Sequence, residues 1–237
     1  MSLELEKDSG RLADYQAHYR ADARAIVAPE ELQALRRASE QRRLETLLRL
    51  LDLRPGEKVL DAGCGSGWLA HGCWQKGARV WAMDLAPQGV LKARGRFPQA
   101  GVFQAGDLYF LPFAPSCFDA VVLSEVVEHL EEVEAALAEA RRVLRPGGRL
   151  LVSAPYCETI LYHLCIHCNR LTPANAHLHS FDEEKLAGLL RSQGLEVSRA
   201  IRLSNKLLEL AGFPRWSARW PYWAWRAVDA ACSQVVR

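Results

Sequence analysis

The stretch Val59-Leu60-Asp61-Ala62-Gly63-Cys64-Gly65-Ser66-Gly67-Trp68 decides the fold. A short apolar run ends in an acid, crosses three alternating glycines and opens a helix. The pattern predicts a strand, a tight turn and a helix N-terminus shaped for close backbone approach to a ligand. Glycine permits dihedrals and clearance that a side chain forbids. The glycines by themselves fit a dinucleotide site and other nucleoside sites alike. The residues that follow separate the two.

Three later signals fall where a nucleoside-binding α/β domain needs them. Val80-Trp81-Ala82-Met83 reads as a second buried strand with Asp84 at its carboxyl end, where an acid accepts hydrogen bonds from ribose hydroxyls. Gln104-Ala105-Gly106-Asp107-Leu108 ends a third strand and sets another acid at the same sheet edge. Phe118-Asp119-Ala120-Val121-Val122-Leu123-Ser124 reads as a fourth strand, followed by a helix and by Leu144-Arg145-Pro146-Gly147-Gly148-Arg149-Leu150. Strands separated by helices predict an α/β, Rossmann-like, doubly wound and mostly parallel sheet of six or seven strands. Helices cover both faces and ligands sit at the carboxyl ends of the strands.

With these motifs the chain resembles class I S-adenosylmethionine-dependent methyltransferases of the type 11-like group, which includes quinone and sterol methyltransferases. The resemblance runs from about Leu47 to Leu203 and rests on D-A-G-C-G-S-G, the acid after strand two, G-D-L after strand three and L-R-P-G-G before strand five. Each motif is weak alone; the ordered set is specific. A nicotinamide enzyme more typically shows G-x-G-x-x-G, whereas these glycines sit at Gly63, Gly65 and Gly67.

Composition fits one soluble domain. The chain has 237 residues, 49% of them hydrophobic, enough for a sizeable core. Thirty basic and 28 acidic residues leave a net charge of +2, so no global nucleic-acid signature exists and no nucleic-acid partner is expected. The seven cysteines, the absence of a membrane-length apolar run and the absence of a leader-like start together predict a cytoplasmic protein. Residues 1–53 read as an N-terminal helical segment covering the cofactor site. Residues 54–204 read as the core, with a Cys/His-rich insertion at about 156–180, and residues 205–237 as a Trp-rich helical tail. Within the core, Ser180 and Glu183 suggest a capping box, and Leu195 to Leu203 alternate as a strand should.

The resemblance implies methyl transfer from S-adenosylmethionine to a small-molecule acceptor, with hydrophobic quinone-, lipid- or natural-product-like molecules among the candidates. Two other readings stay open: a non-catalytic S-adenosylmethionine-binding scaffold, and a nucleic-acid 2′-O-methyltransferase. It further implies donor binding by Asp61, Gly63, Cys64, Gly65, Gly67, Asp84, Leu85, Asp107, Leu108 and Ser124. In that scheme Asp84 takes the ribose, Asp107 the adenine amino group, and Asp61 orders the turn or meets the methionine end. Tyr19, with Tyr15 nearby, is expected to fold over the donor or else to pack within a helix.

Glu128 and His129 lie three and four positions after Glu125, a spacing that predicts one shared helical turn beside the transfer zone. His129 reads as a base or substrate contact. The E-x-x-E-H pattern is also similar to that of ubiquinone-biosynthesis and small-RNA methyltransferases, where it supports a divalent metal. A separate set, Cys165, Cys168, His177 and His179, has the ligand types of a structural zinc site, although H-x-H departs from the usual histidine spacing. A lid loop is the competing reading there. The tail holds four of the seven tryptophans, with Trp216, Trp220 and Trp223 at i, i+4 and i+7 among arginines. That stripe reads as core packing, a homodimer surface or a peripheral membrane contact.

Overall fold

A computed structural model describes residues 32–164, 171–203 and 206–235. Helix α1 (Ala34–Leu51) leads into β1 (Lys58–Ala62), α2 (Trp68–Gln75), β2 (Arg79–Asp84), α3 (Pro87–Arg96), β3 (Val102–Ala105) and β4 (Phe118–Ser124). A 3₁₀ turn (Val127–His129), α4 (Val133–Val143) and β5 (Leu144–Ser153) follow. Next come a hairpin of β6 (Tyr162–Leu164) and β7 (Leu171–Pro173), then α5 (Glu183–Ser192) and the tail helices α6 (Lys206–Leu210), α7 (Phe213–Trp216) and α8 (Tyr222–Val235).

The main sheet has the order β3-β2-β1-β4-β5, and every pair in it is parallel. Strand order therefore reverses at β1, which opens a crevice between the carboxyl ends of β1 and β4. Burial explains the apolar runs. Val59 joins a core with Leu47 and Leu51 of α1, Cys73 of α2 and Val90 of α3. Its neighbour Leu60 joins the opposite core with Leu137, Ala140 and Val143 of α4. Successive residues of one strand thus feed two cores, and helices on both faces exclude water from the sheet.

Four expectations need correction. The sheet has five strands among the described residues, not six or seven. Leu195–Leu203 forms no ladder: its residues are half-buried or exposed, and apolar alternation specifies a face, not a hydrogen-bonding partner. The helix expected directly after β4 is replaced by a 3₁₀ turn, because Glu125 takes a left-handed conformation (φ 56°) that a continuous helix cannot hold. The cap of α5 is Asp182, whose Oδ1 accepts from Lys185 N at 2.7 Å; Ser180 lies too early to reach the first turn.

Candidate active site

The crevice at the carboxyl ends of the strands holds a cleft of about 360 Å³. Its floor is the glycine turn, which backbone bonds pin to β2. Gly63 N and Cys64 N both donate to Met83 O, at 2.7 and 2.9 Å. Gly63 has φ +87°, and a Cβ there would stand 2.2 Å from Val126 Cγ2, so the position excludes a side chain on two grounds. Asp84 then clamps the turn: Oδ2 accepts from Gly65 N at 2.9 Å and Oδ1 from Ala86 N at 3.0 Å. Each carboxylate oxygen retains a further lone pair for a ligand.

Nine of the expected donor-site residues line this cleft: Asp61, Gly63, Cys64, Gly65, Asp84, Leu85, Asp107, Leu108 and Ser124. Gly67 lies beneath the lining; it is buried, and a Cβ there would meet Ala93, Phe103 and Phe97. Tyr19 and Tyr15 lie outside the described residues. Asp61 is 1% exposed, and its Oδ2 has no hydrogen-bond partner among the described residues. Burial, with Asp84 adding, pushes the Asp61 carboxyl up to about 7, while the Ala70 N–H opposes the shift.

Glu125 and His129 open into the same cleft, whereas Glu128 lies behind it at 1% exposure. The strained backbone at Glu125 is fixed by its N–H donating to Ser153 O at 2.9 Å. Its side chain ends a directed chain of hydroxyls. Arg43 Nη1 donates to Ser124 Oγ at 2.6 Å, and Ser153 Oγ donates to Glu125 Oε1 at 2.8 Å. The Ser124–Ser153 contact of 3.1 Å must therefore run from Ser124 to Ser153. His129 Nδ1 lies 3.3 Å from Ala176 O; a carbonyl only accepts, so Nδ1 carries the hydrogen and Nε2 the lone pair of the neutral ring.

The insertion returns to this turn. Leu178 N and His179 N both donate to Glu128 O, at 2.7 and 3.2 Å, and His179 Nε2 donates to Leu130 O at 2.7 Å. His177 Nδ1 contacts Glu158 Oε2, and its ring packs against His129. Glu128, His129 and His177 each offer a ligand atom, all within 4.8 Å of one another. Glu128 Oε2 is buried and without a hydrogen-bond partner among the described residues, and burial, with Glu125 adding, pushes this carboxyl up to about 8. One carboxylate and two imidazoles, one of them oriented by a second carboxylate, suit a divalent transition metal. Of the sequence grouping with His177 and His179, Cys165 and Cys168 lie outside the described residues; one ring nitrogen of His177 meets Glu158 and one of His179 meets Leu130 O.

Sequence reasoning missed ten of the residues that line the cleft, Arg43, Trp68 and Tyr109 among them. Trp68 and Tyr109 directly follow the two quoted motifs and were within reach of adjacency. Arg43 carried no such signal, because nothing in an amphipathic helix tells which of Arg42 and Arg43 meets the ligand. Among the described residues the lining holds the acids Asp61, Asp84, Asp107, Glu125 and Glu131 against the single Arg43. A ligand with positive charge is favoured there and a polyanion is not.

The comparisons agree with this geometry. A ubiquinone biosynthesis O-methyltransferase of Xanthomonas euvesicatoria pv. vesicatoria is 32% identical over 165 residues, which cover 65% of this chain and 69% of that protein. The chain belongs to the class I S-adenosylmethionine-dependent methyltransferases. The family description "Methyltransferase domain" matches residues 60–152, from β1 to β5. A malonyl-[acyl-carrier protein] O-methyltransferase of Serratia marcescens is 40% identical over 109 residues, 46% of this chain but only 42% of that protein. The chain spans about half or less of the first curated relatives that it matches. Among solved structures, 1,6-didemethyltoxoflavin-N1-methyltransferase of Burkholderia thailandensis, with 1,6-didemethyltoxoflavin and S-adenosylhomocysteine bound, superposes with a TM-score of 0.60. It is 27% identical and the match covers 82% of this chain and 85% of that one. No helix among the described residues is long and apolar enough to cross a membrane.

Proposed function

We propose that the chain binds S-adenosylmethionine in the cleft and directs its methyl group to an oxygen of a small, largely apolar acceptor. The observation that carries this reading is that the glycine turn and His129 open into one cleft. The donor supplies a methyl group on a sulfonium, which departs as a neutral thioether. The chain then has two tasks: to align an acceptor behind that methyl, and to remove the acceptor's proton. Alignment alone is worth roughly 7–11 kcal/mol in favourable cases. The acids of the lining favour the donor's positive charge, Asp84 being the ribose contact and Asp107 the adenine contact. His129, with Nδ1–H turned to Ala176 O, presents Nε2 as the proton acceptor. Trp68, Leu85, Leu108 and Leu130 give the remaining wall an apolar character. The two O-methyltransferase relatives support oxygen as the accepting atom.

A second reading is favoured by the unpartnered Oε2 of Glu128. Here Glu128, His129 and His177 hold a divalent cation. Such a cation lowers the pKa of an acceptor hydroxyl, and His129 serves as ligand instead of base.

Calorimetric titration with S-adenosylmethionine and S-adenosylhomocysteine tests the donor site. Turnover of phenolic, catecholic and carboxylic acceptors by wild type and His129→Ala tests the rest. The expected result is unchanged donor affinity with turnover lowered by about 10²–10⁴. Folded protein that binds neither ligand rejects the donor site. Full turnover by His129→Ala rejects both roles of His129.

A further inference from the structure

We propose that the outer surface of the tail helices, centred on Trp216 and Trp220 and bracketed by Arg215 and Arg219, seats on an anionic lipid surface. The inner face of this tail packs on α1. Arg42 of α1, 9% exposed, places its guanidinium 4.9 Å from the Phe213 ring and 4.8 Å from the Trp225 ring and donates to the buried Ser217 hydroxyl. Arg49, two turns on, stands 4.2 Å from the Tyr222 ring. Tyr222, Trp225 and Asp229 therefore form the stripe of α8 that faces α1.

The outward side has a different composition. Trp216 is 62% exposed, Trp220 43%, Trp223 74% and Leu210 75%. Trp216 and Trp220 share one patch, their rings edge to face with centroids 6.4 Å apart. Trp223 begins an outer stripe on α8 with Ala227 and Ala231, all exposed and all uncharged. Single exposed apolar residues are ordinary, but a cluster of exposed indoles marks an interaction surface.

Charge selects the occupant. The two charges of α8, Arg226 and Asp229, pair at 3.0 Å. Arg215 and Arg219, each next to an indole in sequence, are exposed and form no ion pair among the described residues. Indoles at the headgroup level with arginines reaching to lipid phosphates match the chemistry of an anionic bilayer surface. A second copy fits less well: a two-fold contact through this patch returns Arg215 and Arg219 to the neighbourhood of their own counterparts. This inference is independent of the reaction proposed above.

The test is sedimentation of the whole chain with vesicles of phosphatidylcholine alone and of phosphatidylcholine with phosphatidylglycerol, at low and high salt. The expected result is at least about tenfold stronger partition to the anionic vesicles, weakened by salt. Both Trp216→Ser with Trp223→Ser and Arg215→Glu with Arg219→Glu should lose that gain. Circular dichroism matching wild type confirms that each variant is folded, and agreement between the two pairs guards against a local packing defect. Equal partition to both vesicles, or none, overturns the proposal. So does a concentration-dependent dimer mass abolished by the tryptophan pair, which assigns the patch to a second copy instead.

Discussion

His129 and His177 meet edge to face, their ring centroids 4.7 Å apart and their planes at 77°. His129 closes the 3₁₀ turn after β4, and His177 arrives from beyond the β6–β7 hairpin. Glu128 lies beside them and Glu158 behind His177, so two imidazoles and two carboxylates gather where the chain's two halves meet. This junction separates the two readings of His129.

If the junction holds a cation, the full chain dialysed after exposure to Mn²⁺ or Zn²⁺ should retain about one equivalent by elemental mass spectrometry. His177→Ala and Glu128→Gln should retain little, with S-adenosylmethionine affinity within about twofold of wild type. Wild-type protein that releases all its metal on dialysis returns His177 to a packing role and leaves His129 as the base.

Asp84 accepts from the backbone N–H of Gly65 in the glycine turn and from that of Ala86 just beyond β2. Asp84→Ala should weaken donor binding by at least about tenfold and cost on the order of 1–3 kcal/mol of stability, because two part-buried donors lose their acceptor. Paired calorimetric and urea titrations read both effects. Donor affinity equal to wild type would refute the ribose assignment.

Asp61 predicts a pH dependence of stability with a definite sign. In the unfolded chain its carboxyl titrates near 3.8, and in the folded protein near about 7. Between those values the folded state binds more protons, so this group's contribution is complete below about pH 4 and is lost as pH rises through about 7. The span is worth on the order of a few kcal/mol. Asp61→Asn should flatten urea-unfolding stability across that window. A variant whose curve keeps the wild-type slope would sink the assignment.

Gly63→Ala should destabilise the protein by about 1–3 kcal/mol, from a positive φ and from the collision with Val126. Adding Val126→Ala should recover part of the loss, since it removes the clash and leaves the dihedral strain. No recovery in the double variant would mean that strain alone decides the position.

Much of the donor side was readable without coordinates. The turn from Gly63 to Gly67, Asp84 and the Gly106–Leu108 segment each depend on a local rule, an acid or glycine at the carboxyl end of an apolar run. Nine of the residues that the family resemblance implied for the donor line the cleft. The side proposed for the acceptor was less legible. Spacing put Glu125, Glu128 and His129 on one helical turn, but the left-handed backbone at Glu125 instead turns Glu125 and His129 to the cleft and Glu128 behind it.

Local chain chemistry determined which segments become strands, helices and glycine turns, because periodicity and permitted dihedrals act between near neighbours. It likewise placed the acids at one sheet edge, since parallel strands joined by helices all end on the same side. Only the tertiary structure decided that His177 joins Glu128 and His129, that Arg43 faces the cleft while Arg42 anchors the tail, and that the predicted sixth strand stays unpaired. Those outcomes are contacts between residues far apart in sequence, set by how whole elements pack, and no local pattern encodes which distant side chain will fill a given space.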